Sequence, residues 1–135
     1  MYSIDSRDRA VHLDYAPPPD PGDPLPVVLA KDGAVILSYV AGRELTVMAT
    51  FPVCRAHVFG PADGHPLAKR GLTPHGAFEV QDSSWARSFG GSERVKHFVF
   101  TFGGSLFECV ANDAGVELIR EDDDTVKLMS RRLYK

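Results

Sequence analysis

Two cysteines, one tryptophan and no excess of positive charge characterise this 135-residue chain, and each scarcity excludes something. Two cysteines, Cys54 and Cys109, are too few for a disulfide-stapled scaffold. They are not spaced as Cys-x-x-Cys, and no His-Glu-x-x-His occurs, so paired zinc ligands are missing. Both lie in apolar, strand-like surroundings, where a free thiol is often simply buried. A net charge of −3 argues against general nucleic-acid binding, which needs a basic face. No apolar run approaches the ~18 residues of a membrane span. The start, Met1-Tyr2-Ser3-Ile4-Asp5-Ser6-Arg7, is charged and leads into no apolar signal region, so a cytoplasmic location without membrane attachment is expected. There is no Gly-x-Ser-x-Gly elbow. The glycines from Gly60 to Gly64 lack the strand and helix that would frame a phosphate loop.

What is present is apolar and strand-like. A hydrophobic share of 44% rules out wholesale disorder, and the length suits a single domain over 1–135. The clearest segment runs from Lys96 to Val110. Gly103-Gly104 can form a two-residue turn of type I′. Such a turn pairs Phe100 with Phe107 and Phe98 with Cys109. Alternation then puts Phe98, Phe100, Phe102, Phe107 and Cys109 on one face, which must be core. The other face carries His97, Val99, Thr101, Leu106, Glu108 and Val110. It is too apolar for open water and is expected to be part-covered or to line a cleft.

Other elements follow from punctuation. Residues 16–26 hold six of the ten prolines and read as a stiff, exposed connector. Ala34–Val40 and Glu44–Phe51 suggest a second hairpin around a Gly42-Arg43 turn, pairing Leu37 with Met48 and Tyr39 with Thr46. Strands are also expected over Cys54–Phe59, Gly76–Gln81 and Gly115–Arg120, and more weakly over Ala10–Tyr15. Ser83 to Phe89 reads as a short helix around Trp85, capped by Asp82 or Ser83 and stopped by Gly90-Gly91. The tail has Asp122-Asp123-Asp124 at one end and Arg131-Arg132 at the other, a polarity that suits a helix dipole. Val126, Met129 and Leu133 have helical spacing, although Val126 and Leu128 also alternate as in a strand.

Candidate chemistry is sparse. The five histidines are scattered. His57, His65 and His75 bracket one loop and could converge on a metal or a substrate. Helix capping accounts for Ser83 and Ser84 more simply than a nucleophile does. Glu79 and Glu108 sit mid-strand opposite large apolar neighbours. In the hairpin register His97 and Glu108 share a face as diagonal neighbours, roughly 7–8 Å apart between backbones. Long side chains or one water can bridge that distance. This pair, with His65 folding over it, is the best physical candidate for a ligand site.

The blocks Gly64-His65-Pro66-Leu67, Arg70-Gly71-Leu72, Phe78-Glu79-Val80, Ser83-Ser84-Trp85, His97-Phe98-Val99-Phe100-Thr101-Phe102 and Phe107-Glu108-Cys109-Val110-Ala111 occur in that order. Together they resemble a widespread group of small uncharacterised bacterial proteins, over roughly residues 50 to 112. The resemblance supplies no mechanism. It marks His65, Glu79, Trp85, His97 and Glu108 as matching positions, which fit a shared ligand site or only shared packing. The group usually carries His-Asp at the hairpin tip, where this chain has Gly103-Gly104, and usually has a longer segment before the hairpin. If the tip pair is catalytic in relatives, this chain lacks it.

The expected fold is mainly β, an antiparallel sheet or partly open barrel of six to eight strands. It has a short helix near Trp85 and a possible C-terminal helix. No metal or cofactor is expected. Three functions remain. The leading one is a non-enzymatic binding or interaction protein, such as an inhibitor, immunity factor or accessory subunit, with another protein as partner. The second is a small-molecule-binding β-barrel. The third is a small His/Glu-dependent enzyme, with or without a metal. Convergence of three histidine or carboxylate groups would favour the third.

Overall fold

Short apolar runs punctuated by Gly, Pro and Asp leave little room for helix, and the computed structural model is accordingly a two-sheet β sandwich. It describes residues 7–22, 26–42, 45–63, 65, 72–90, 94–120 and 124–134. Among the described residues there are nine strands: β1 (Arg9–His12), β2 (Val27–Lys31), β3 (Ala34–Val40), β4 (Leu45–Phe51), β5 (Cys54–Pro61), β6 (His75–Gln81), β7 (Lys96–Phe102), β8 (Ser105–Ala111) and β9 (Gly115–Arg120). Two helices join them, α1 (Ser84–Arg87) and α2 (Thr125–Leu133). One sheet has the order β1-β6-β7-β8-β5 and the other β2-β3-β4-β9, and every pairing is antiparallel. The sheets do not close into a barrel. Among the described residues no helix is long and apolar enough to cross a membrane.

The count exceeds the expected six to eight because β2 went unread. It is only five residues long and follows the proline connector. Its signal is the Asp32-Gly33 pair, whose φ values of 51° and 83° make the type I′ turn into β3. At the β7–β8 tip the roles reverse. Gly103 alone takes a positive φ, 74°, so that turn is of the Gly-first kind, not type I′. The pairing is unaffected: Phe100 faces Phe107 and Phe98 faces Cys109.

The β3–β4 register differs by one residue from the expected one. Leu37 pairs with Ala49 and Tyr39 with Val47. The connection is longer than two residues, with the Ala41 N–H donating to the Leu45 carbonyl at 2.8 Å and the Leu45 N–H to Gly42 at 3.1 Å. Arg43, in the expected turn, lies outside the described residues. Both faces of this hairpin are apolar and buried, so the hydrophobic pattern cannot choose between registers.

The core lies between the sheets. Val35, Leu37, Tyr39, Val47, Ala49 and Phe51 meet Ala77, Phe98, Phe100, Phe107, Cys109 and Ala111 there. Tyr39 donates its hydroxyl to the Pro17 carbonyl at 2.7 Å, which ties the proline connector to the core. The back of the four-stranded sheet is covered by α2, where Met129 packs against Ile36, Met48 and Ile119. Asp124 caps α2 through its carboxylate and the Lys127 N–H, and Arg131 and Arg132 stand in the last turn. Leu128 joins Met129 and Leu133 against the sheet, whereas Val126, read as inward, is exposed. Asp122 and Asp123 lie outside the described residues. The back of the five-stranded sheet is covered differently, and the candidate site is there.

Candidate functional site

Two strands bring the first two site residues together. His97 opens the buried run of β7 and Glu108 lies at the middle of β8. Their partners across the ladder are Val110 and Val99, so both side chains leave the same face of the sheet. That face points away from the core. It is nonetheless dry: Val99, Thr101, Leu106 and Val110 are all buried. His97 Nε2 meets Glu108 Oε1 directly at 2.8 Å, with no water needed.

The other Glu108 oxygen is also taken. His65 folds over from the β5–β6 loop and places its Nε2 2.6 Å from Oε2. His65 Nε2 and His97 Nε2 thus converge on the one carboxylate. The remaining ring nitrogen of His97 faces Ser83, with Nδ1 to Oγ at 2.8 Å. Ser83 also accepts the Ala86 N–H at 3.0 Å, because it is the N-cap of α1. Trp85, the second residue of the helix, lays its ring edge-on to the His97 imidazole at 5.1 Å and 81°. The helix itself is pinned from a distance: Asp8 accepts the Ser84 N–H at 2.6 Å and the Ser84 hydroxyl at 2.8 Å.

Glu108 is 0% exposed, His97 1%, Ser83 4% and His65 6%. A carboxylate so deeply buried requires a donor on each oxygen. Proton bookkeeping then assigns the chain. An ionised Glu108 only accepts, and each histidine then presents an Nε2–H to it. In the neutral Nε2–H tautomer, His97 Nδ1 is an acceptor and its partner is the Ser83 hydroxyl proton. Ser83 Oγ can give that proton because its own bond from Ala86 N–H is received, not donated. Written this way the cluster carries one negative charge. A proton taken by His97 cancels it.

The Ser83 end opens on a cleft of about 520 Å³ between α1 and the ends of β6 and β7. Glu79, Asp82, Ser83, Arg87, Lys96 and His97 line it. Asp82, immediately before Ser83, is held at φ 53°, a conformation that non-glycine residues seldom adopt. Glu79 reaches this cleft but not the network, since it pairs with Phe98 and so leaves the sheet on the core side. It acts there on Tyr15, whose phenol is raised chiefly by burial and further by the Glu79 and Asp113 charges. Of the five candidate residues, His65, His97, Glu108 and Trp85 are brought together and Glu79 is a wall of the cleft.

Two other histidines lie apart from this network. His57 leaves β5 on the core side and stacks on Phe107 at 6.2 Å. His75 lies under the hairpin tip, where a side chain at Gly103 would come within 3.2 Å of its ring. The loop histidines therefore do not converge. Among the described residues no group of three His, Cys, Asp or Glu side chains is placed to hold a metal ion.

Two members escaped the sequence. Ser83 was visible but explained by capping alone, and capping is only half of its role. Asp8 stands 76 residues from Ser84 and has no local signal. Comparison with known proteins adds nothing to this geometry: no family model, no curated protein and no solved structure matches the chain.

Proposed function

We propose that the chain is a small enzyme of hydrolytic, acyl-transfer type, with Ser83 as nucleophile and His97 as its base. The observation that carries this reading is the unbroken relay from Ser83 Oγ through His97 to Glu108, both links at 2.8 Å, open to a cleft at the serine end. A nucleophile bonded to a base that a third group orients is the general signature of covalent catalysis. Ser83 Oγ would form a bond to a substrate carbonyl carbon while its proton passes to His97 Nδ1. The Glu108 carboxylate holds the imidazolium so formed through Nε2–H. His97 then returns the proton to the leaving group, and water repeats the path to release the acid. His65 keeps the second carboxylate oxygen occupied and so fixes the Glu108 rotamer. The cleft walls bear charges of both signs, which suits a small polar ester or amide.

The test is covalent labelling by a fluorophosphonate, read by intact mass and peptide mapping. One adduct per chain on Ser83 is expected. Glu108→Gln should slow labelling by roughly 10²–10⁴-fold, the range that general-base catalysis supplies. Ser83→Gly keeps most of the capping function and should abolish the adduct. No adduct on the folded wild-type chain, or an equal adduct on Ser83→Gly, overturns the proposal.

A binding or interaction protein remains the second reading, and one observation favours it. The network is almost wholly buried with each of its members hydrogen-bonded, as a purely structural clamp would be. That reading expects an inert Ser83.

A further inference from the structure

A second pair of reactive side chains lies on the opposite face of β8, independent of Ser83. Cys109 points into the core and is fully buried, and Cys54 is half-buried at the start of β5. The register explains how they meet. Cys54 pairs with Ala111 and His57 with Cys109, so three steps along β5 match two along β8. A regular strand would place Cys54 and His57 on opposite faces. The bulge between Cys54 and Ala56 absorbs the odd residue and turns Cys54 to the core side. There it packs against the same cluster as Cys109, with its Sγ–H donating to the Ala56 carbonyl at 3.4 Å and the Cys109 thiol beside it.

We propose that Cys54 and Cys109 form a peroxide-oxidisable dithiol, with Cys54 as the attacking sulfur and Cys109 as the resolving one. The asymmetry of their surroundings fits those roles. The neighbouring Cys109 thiol holds the Cys54 thiol below its ordinary range, against the opposing effect of burial. Burial pushes the Cys109 thiol well above it, with Cys54 and the Glu108 charge adding to the rise. The Cys54 thiolate attacks a hydroperoxide oxygen, the O–O bond breaks, and hydroxide (water, for a hydrogen peroxide molecule, once protonated) leaves. Cys54 is then a sulfenic acid. The Cys109 sulfur attacks it, the S–O bond breaks, and a second water departs with the Cys109 proton. In sum two thiols lose two electrons, the peroxide gains them, and a disulfide crosses from β5 to β8.

The experiment treats the reduced, folded chain with one equivalent of hydrogen peroxide. Non-reducing peptide mapping should find Cys54 joined to Cys109 within a monomer, and titration should count two free thiols before and none after. Before oxidation, iodoacetamide should alkylate Cys54 faster than Cys109. Cys109→Ala should leave a Cys54 sulfenic acid that dimedone traps. Two thiols still free after peroxide, a link between chains, or Cys54 carried to sulfinic acid in the wild type with Cys109 still free each overturn the proposal. The wild-type readouts stand without the variant, and labelling of Ser83 is unaffected by any of these results.

Discussion

The sandwich has two outer faces, and it covers them by different chemistry. The four-stranded sheet is closed by α2 through Ile36, Met48, Ile119 and Met129, all apolar. The five-stranded sheet is closed by α1 and the β5–β6 loop, through Ser83, His65, His97 and Glu108. Both faces are dry. Only one buries a carboxylate. Replacing a buried ionic group by apolar residues is often neutral or stabilising, and this same chain does use apolar cover on its other side. Covering the sheet therefore does not require Glu108. The contrast teaches that burying Glu108 is not forced by the need for cover, which is what the proposed proton-transfer role would require.

The largest effect expected on that contrast comes from breaking the polar face one-sidedly. Glu108→Ala strands two imidazole N–H groups and should destabilise the chain by ~3–5 kcal/mol in a denaturant titration. Replacing His65, His97 and Glu108 together by leucine should recover most of that loss, because only the Ser83 hydroxyl proton then lacks its acceptor. Failure to recover it would mean that the network itself is the source of stability. The apolar lid has no such rescue. Met129→Ala should lose ~2–5 kcal/mol through its cavity, and it should leave labelling of Ser83 unchanged. Ser83→Gly keeps the cap to within a few tenths of a kcal/mol, but it leaves the buried His97 Nδ1 without its partner and should cost about 1–3 kcal/mol.

A smaller effect probes the layer between the two faces. Tyr39→Phe removes one bond to Pro17 and should cost about 1 kcal/mol. It should also change the alkaline limb. Burial raises the Tyr39 phenol above its ordinary value of 10.0. Its contribution is therefore complete below that pH and is lost as pH rises toward the folded value, because the unfolded chain then ionises and the folded one does not. Thermal melts above pH 10 should decline less steeply in Tyr39→Phe than in the wild type, and an identical decline would place the titration elsewhere.

The two faces also differ in what could be read before folding. The β7–β8 pairing was legible because a slip of one residue would have separated Phe98 and Phe100 from Phe107. That register put His97 and Glu108 on one face. The β3–β4 pairing was not legible to the residue, since Leu37 and Met48 both find apolar surroundings on their respective sides. His65 was legible as a loop group able to fold over. Ser83 was read correctly as a cap and incompletely as a partner, because capping explained it without reference to β7. Asp8 and the Cys54–Cys109 contact were not legible at all. The first depends on a distant pairing of β1 with β6, and the second on a bulge that no residue type announces.

The central claim is the direction of the relay from Ser83 to Glu108. It is tested most directly by the ring nitrogen shifts of His97 in the folded, ¹⁵N-labelled chain at neutral pH. The account predicts a neutral ring with the proton on Nε2, coupled to Glu108, and an unprotonated Nδ1 receiving the Ser83 hydroxyl. A proton on Nδ1, alone or with one on Nε2, would make Ser83 an acceptor only and would contradict it.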